Sequence, residues 1–261
     1  MQIHKDCFYT EIIKRCFPDA NNLHKPKITG WVSPAVFIIN TNNQIRVCKF
    51  NNKAIVLHNK YICDLLISHD IQIPKTTVHN IGNTWFESYE FIPEKTLQEL
   101  IDNGLSQEHI FTAYKSVLNI QHKISQIKIP KSTIPCCPRY IDIIKHYAKM
   151  SFATRFFYSL STIGKQFLMH NDIYPRNILY SPEKQQAYLI DIDSISFSNF
   201  YINSLKLFHN YPLDNYEDLA TEIQKINGRK INVSLINKIN KTITDANILK
   251  CKIYNLVIRQ K

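Results

Sequence analysis

Glycine is scarce in this sequence. Gly30, Gly82, Gly104, Gly164 and Gly228 are the five in 261 residues, too far apart to form a glycine-rich loop that cradles phosphate on bare backbone. Cysteine lacks pattern. The seven residues are odd in number, show no C-x-x-C spacing and include the adjacent pair Cys136–Cys137, which cannot close together on one metal ion. That excludes a disulfide framework and a thiolate metal cluster and leaves free thiols, as in a reducing compartment. No stretch approaches the roughly 18 uninterrupted apolar residues that a membrane span requires. Met1–Thr10 carries His4, Lys5 and Asp6 with no apolar run behind them, unlike a secretion signal. The expected location is the cytoplasm. An arginine-rich block and an aromatic–basic platform are also missing, so the net charge of +11 does not read as a nucleic-acid surface. The lysines are scattered through a chain rich in Ile and Asn. The charge is either a compositional bias without meaning or a basic surface favouring anionic partners such as nucleotides, phosphorylated substrates or an acidic membrane face.

What is present is 44% apolar residues, enough for a full core, in a length that suits one two-lobed domain or two small ones. Residues 6–17 have the spacing of a short amphipathic helix, stopped at Phe17-Pro18-Asp19. Strands are expected at Lys27–Trp31, Ala35–Asn40 and Gln44–Phe50, then at 75–81 and 84–91 around the turn Ile81-Gly82-Asn83, with a helix over 53–69. Thereafter the pattern is helical. Thr96-Leu97-Gln98-Glu99 has the form of a capping box, and Ser106 can cap a helix running to about 127. Beyond the Pro-rich break at 130–138, helices are expected at 139–150, 152–168, 215–226 and 234–256, with one hairpin of strands 178–181 and 187–191.

One segment carries chemistry: Leu168-Met169-His170-Asn171-Asp172-Ile173-Tyr174-Pro175-Arg176-Asn177, followed after the hairpin by Tyr188-Leu189-Ile190-Asp191-Ile192-Asp193. The spacing His-x-Asp-x4-Asn is expected by chance about 0.04 times in a chain of this composition. Phosphoryl transfer needs few parts. A carboxylate receives or orients the acceptor hydroxyl, and hard oxygen ligands hold magnesium on the nucleotide phosphates. Asp172 as base, with Asn177 and Asp191 as oxygen ligands, supplies that set, and the apolar residues on either side would hold the loop still.

With these residues the chain resembles the aminoglycoside phosphotransferase and choline kinase family, over residues 27–226. Tyr174-Pro175-Arg176-Asn177 stands close to the family's His-Pro-x-Asn wording. The resemblance implies an α+β, bilobal protein-kinase-like fold. A small five-stranded antiparallel lobe with one helix (residues 1–92) would bind nucleotide, and a larger helical lobe (residues 93–261) would carry catalysis and the acceptor. It implies a kinase that uses ATP and Mg2+ to phosphorylate a hydroxyl group of a small molecule, either an amino alcohol such as choline or a sugar; a saccharide or membrane-surface acceptor falls within that expectation. By the same resemblance Asp172 is the catalytic base, Asn177 and Asp191 bind magnesium, and His170 orients the loop. Asp193 is expected either to support the ligands from behind or to act on the metal directly, and the resemblance implies that Asp218, in Tyr216-Glu217-Asp218-Leu219-Ala220, ties the loop down. Lys49, in Ile45-Arg46-Val47-Cys48-Lys49-Phe50, would hold the nucleotide phosphates, helped by Ser33. The main chain at Glu90 and Ile92 would bond the purine edge.

Two departures matter. The loop Gly30–Ala35 has one glycine, and the helix at 53–69 has no glutamate to pair with Lys49. Its one acid is Asp64, with His58, Asn59 and Tyr61 where the partner is expected. Either a polar residue there replaces the ion pair or the chain is catalytically weak. Two alternatives stay open: a lipopolysaccharide core sugar kinase of the same fold, and a nucleotide-binding pseudokinase. The usual marks of protein kinases, an Arg before the catalytic Asp and an Ala-Pro-Glu-like segment after Asp191, are absent.

Overall fold

Phe37, Ile39 and Thr41 are buried and alternate with more exposed neighbours along Val36–Thr41, the period of a strand with one face on a core. The computed structural model describes residues 2–26, 35–42, 44–130, 133, 165–198, 216–228, 233, 234 and 241. The chain divides into two units, Met1–Pro93 and Glu94–Lys261.

The first unit is built on a five-stranded antiparallel sheet of β1 (Asn21–His24), β2 (Val36–Thr41), β3 (Gln44–Asn51), β4 (Thr77–Ile81) and β5 (Thr84–Glu90), in the order β1-β2-β3-β5-β4. The expected strand Lys27–Trp31 lies outside the described residues. The first strand observed is β1, whose single apolar residue, Leu23, gave no alternation to read. Gly82, with φ +60°, opens the two-residue loop between β4 and β5, where glycine meets no steric penalty.

Helices cover both faces of this sheet. α1 (Gln2–Cys16) brings Ile12 and Ile13 onto Phe37, Ile39, Cys48, Phe50 and Phe86. There the Phe50 and Phe86 rings stack at 4.7 Å, and His79 stacks on Phe86 at 4.6 Å. α2 (Lys53–Ile67) begins at Asn52, whose side chain accepts from the Ile55 N–H at 2.9 Å. It buries Ile55, Val56, His58, Asn59, Ile62, Cys63 and Leu66. Asn59 bonds to Glu87, whose side chain points to the sheet face opposite that of Phe86.

In the second unit the capping box forms as the sequence predicts. Glu99 N–H donates to Thr96 Oγ1, and the Thr96 hydroxyl and N–H both donate to the Glu99 carboxylate, the hydroxyl foremost, which holds that carboxyl below its ordinary range. This opens α3 (Leu97–Asp102), and Ser106 caps α4 (Gln107–Gln126). One face of α4 buries Ile110, Ala113, Tyr114, Val117, Leu118, Gln121 and Ile124 against its neighbours. Those neighbours are β6 (Phe167–His170), a β7–β8 hairpin (Ile178–Ser181 with Gln186–Leu189) and α5 (Tyr216–Asn227). The helix expected to run to 168 is corrected at its end. Phe167 and Leu168 are the start of β6, which pairs antiparallel with β9 (Ile195–Ser198). Apolar residues in direct succession, Phe167-Leu168-Met169, do not distinguish a buried strand from a helical turn. The expected helices at 139–150 and 152–164 lie outside the described residues, as does most of that at 234–256.

Among the described residues no helix is long and apolar enough to cross a membrane. Cys7, Cys16, Cys48 and Cys63 are free thiols, and burial pushes that of Cys48 up to about 12.

Candidate active site

β6 ends at His170, and the chain then turns through Asn171–Tyr174 into a single 3-10 turn, Pro175–Asn177, before β7. Pro175 sets the first φ of that turn, and Asn177 N–H closes it on Tyr174 O at 2.8 Å. The turn brings Asn177 back over Asp172. Asn177 Nδ2 donates at 2.9 Å both to the Asp172 main-chain oxygen and to its carboxylate Oδ2. With its amide nitrogen turned to Asp172, the Asn177 side chain presents Oδ1 in the other direction. Asn177 is 7% exposed, whereas Asp172 keeps partial access to solvent.

His170 links this loop to the segment that follows the hairpin. It is fully buried, its Nε2 lies 2.9 Å from Ile190 O, and its Nδ1 lies 3.3 Å from both Asp172 N and Ser194 Oγ. The Asp172 N–H can only donate, so Nδ1 accepts and the ring proton sits on Nε2, donated to Ile190 O. Ile190 N–H in turn donates to Asn177 O at 3.0 Å. The residue after Ile190 is Asp191, so these bonds bring Asp172, Asn177 and Asp191 into one cluster.

Asp191 adopts φ +62° and ψ +49°, a left-handed conformation uncommon for a residue with a Cβ and best tolerated by Asp and Asn. It introduces the 3-10 turn Ile192–Ser194, in which Asp193 is 2% exposed while Asp191 is partly open. The two carboxylates are thus separated by environment: Asp191 is partly exposed and Asp193 is buried.

The sequence reading did not find Gln121. On the buried stripe of α4 it is the polar residue between Leu118 and Ile124, and that interruption was the available signal. Its side chain clamps the His170 peptide, Nε2 donating to His170 O and Oε1 accepting from His170 N–H, both at 3.0 Å. The edge of β6 away from β9 is therefore finished by one side chain. Asn171, also missed, donates through Nδ2 to Ser196 Oγ at 2.7 Å and to Ser194 O at 3.2 Å.

The remaining expected residues lie elsewhere. Asp218 is exposed in the first turn of α5. Ser33 lies outside the described residues. Lys49, Glu90 and Ile92 belong to the first unit. Lys49 is 6% exposed on β3, on the sheet face toward α2. At the end of β5 the Phe91 N–H donates to Ile45 O at 2.9 Å, so Phe91 faces β3 and the main-chain groups of Glu90 and Ile92 face the other way. β4 pairs with β5 no further than Thr77↔Ser88, so neither residue is covered by β4 on that side.

Among the described residues no group of three or more His, Cys, Asp or Glu side chains is arranged as a metal cage. The donors in this cluster, the Asn177 amide oxygen and the Asp191 carboxylate, are hard oxygens. They fit a magnesium ion that keeps most of its coordination for water and phosphate.

No family model and no curated protein matches the chain. Solved structures do. An aminoglycoside-3'-phosphotransferase of type VIII aligns at TM-score 0.62 and 10% identity, over 91% of this chain and 97% of that one. Choline kinase LicA from Streptococcus pneumoniae aligns at TM-score 0.59 and 17% identity, over 97% and 91%. An aminoglycoside phosphotransferase in complex with GDP and kanamycin aligns at 0.60 and 15%, over 97% and 93%. The strand order of the first unit, the loop from β6 to β7 and the nearly full-length matches agree: this chain has the protein-kinase-like α+β fold of the aminoglycoside phosphotransferases and choline kinase.

Proposed function

We propose that the chain is an ATP- and Mg2+-dependent phosphotransferase that phosphorylates a hydroxyl group of a small molecule. The reading is carried by the pair Asp172 and Asn177, tied 2.9 Å apart and joined through His170 and Ile190 to Asp191. A phosphoryl acceptor must lose its proton as the new P–O bond forms, and the partly exposed Asp172 carboxylate is placed to orient the hydroxyl and take that proton. Asn177 holds the carboxylate in one rotamer. Asn177 Oδ1 and Asp191 would hold the magnesium, which when bound neutralises charge on the transferred group. Lys49 would meet the phosphates, and the uncovered main-chain groups of Glu90 and Ile92 would bond the purine edge. His170, Gln121 and Asp193 would keep the loop and the metal-binding turn in register, and Asp218 would tie the loop down from the start of α5. The nucleotide-bound neighbours, one with GDP and one with AMP, support a purine nucleotide as the donor.

The test is nucleotide consumption over a panel of choline, ethanolamine, sugars, nucleosides, lipopolysaccharide core fragments and aminoglycosides, run beside Asp172→Asn. That variant keeps the shape and the bond to Asn177 but cannot accept the hydroxyl proton, so turnover falls by on the order of a hundredfold or more. Calorimetric nucleotide affinity stays within about twofold, because Asp172 acts on the acceptor. Near-normal turnover in Asp172→Asn would remove the base assignment.

A further inference from the structure

Among the described residues of the first unit, Lys49 and Glu87 are the only Lys, Arg, Asp or Glu side chains that are buried, 6% and 3% exposed. They are direct cross-strand partners in the β3–β5 ladder, so both side chains leave the sheet on the same face. Burying either charge alone costs several kcal/mol, and burial of both at facing positions relieves that penalty only if they pair. On α2, above this face, Asn59 is 0% exposed and donates through Nδ2 to Glu87 Oε1 at 2.8 Å. The acid that the sequence offered on α2 is elsewhere: Asp64 is exposed and ion-paired with Lys60. Tyr61 is also exposed. Arg46 lies on the opposite face, where it donates to Ser88 Oγ.

We infer that Glu87, on β5, is the positioning residue for Lys49, supplying from the sheet the counter-charge that α2 lacks, with Asn59 fixing the carboxylate. The inference rests on the phosphate role of Lys49 in the reading above. It differs from the expectation that a polar residue on α2 would stand in for the missing partner. It has a mechanical consequence as well. An acid carried on a helix pairs with a strand lysine only when the helix is docked. Lys49 and Glu87 are held by one ladder of main-chain hydrogen bonds, so the spacing of their backbones is set by strand register, and α2 contributes only the Asn59 bond that orients the carboxylate.

Four variants test this: Lys49→Met, Glu87→Gln, the double Lys49→Met/Glu87→Gln, and the isosteric exchange Asn59→Asp/Glu87→Gln, which moves the carboxylate across the 2.8 Å hydrogen bond onto α2. The first readout is thermal unfolding without nucleotide. Both single variants should lower Tm, and the double should lower it by less than their sum; additive losses overturn the pairing. The second is calorimetric affinity for ATP against adenosine. Glu87→Gln should weaken ATP by at least about tenfold through a misplaced Lys49, with adenosine unchanged. The exchange should recover most of that loss. Unchanged ATP affinity, or equal losses for ATP and adenosine, overturns the positioning role. If Glu87→Gln alone does not fold, recovery of the fold by the exchange supports the carboxylate's role and non-recovery counts against it. A wild-type chain that binds no nucleotide would defeat the phosphotransferase reading, whereas the Tm coupling would still decide whether Lys49 and Glu87 pair.

Discussion

Asp191 and Asp193 are two residues apart and chemically identical, yet their surroundings differ. Asp191 is partly open and held at φ +62°, while Asp193 is 2% exposed inside the turn that Asp191 begins. A left-handed backbone at a non-glycine residue is strained, and such strain persists only where the neighbours fix it. Here the bonds between His170 and Ile190, and between Ile190 and Asn177, provide that fixing. Asp191→Asn is the discriminating substitution, because Asn tolerates the same φ and keeps an oxygen while losing the charge. It should abolish the magnesium-dependent part of ATP binding with little change in Tm. Asp193→Ala should do the reverse, lowering Tm while metal dependence survives. Calorimetry with and without magnesium, alongside thermal unfolding, checks both. A loss of metal dependence in Asp193→Ala alone would mean that the two carboxylates are interchanged. At this scale the site was largely legible. His170, Asp172 and Asn177 lie within eight residues, and their mutual bonds follow from local turn geometry. Glu87 and Gln121 were not legible, because each meets its target through tertiary pairing, Glu87 with Lys49 across two strands and Gln121 with His170 across 49 positions of chain.

Elements with a cap or a clear apolar period were readable, and the short strands without either were not. Thr96 and Ser106 each cap a helix as the sequence predicts, because a capping side chain acts locally, whereas α2 was read from its apolar spacing and proves to be capped by Asn52. β6 and β9 are four residues each, and β6 has no polar alternation, so it reads as the tail of a helix until its partner is known. A strand so short, with one neighbour, has little of its own to hold it, and this makes Gln121 decisive. Gln121→Leu keeps the volume but leaves the buried N–H and C=O of His170 without their partners, each costing about 1–3 kcal/mol. The expected outcome is a Tm lowered by several degrees. Because the disturbed peptide belongs to the loop that carries Asp172, the proposed base, kcat should fall while the KM for nucleotide stays near its original value. Thermal unfolding and steady-state kinetics read the two effects separately. A variant as stable and as active as the original would show that β6 is fixed by β9 alone.

The protein as a whole shares its fold with enzymes whose acceptors differ in charge, kanamycin in one complex and choline in another enzyme's name. The fold alone therefore cannot select the acceptor, and net charge becomes the discriminating property. The chain carries +11 overall, and from Ser194 to the C-terminus it holds the acids Asp214, Glu217, Asp218, Glu222 and Asp245 against ten Lys and Arg. Of these acids Glu222 is already engaged by Lys225 at 2.8 Å and Lys115 at 3.7 Å, contacts that hold its carboxyl below its ordinary range. A polycationic aminoglycoside needs several carboxylates converging on its ammonium groups, and like charge facing it would cost affinity and slow its approach. A single quaternary ammonium needs only an aromatic wall. The same stretch supplies Phe197, Phe200, Tyr201, Phe208, Tyr211 and Tyr216. A sugar ring can stack on such residues, and an anionic one is further favoured by the basic surface. The expected ranking is choline-like amino alcohols or sugars above aminoglycosides, read as kcat/KM over matched concentrations at low and at physiological salt. Any preference for an anionic sugar should shrink as salt is raised, since screening weakens long-range attraction over about 8 Å at physiological ionic strength. Kanamycin turned over faster than choline and every sugar would overturn the ranking and leave the phosphotransferase reading in place.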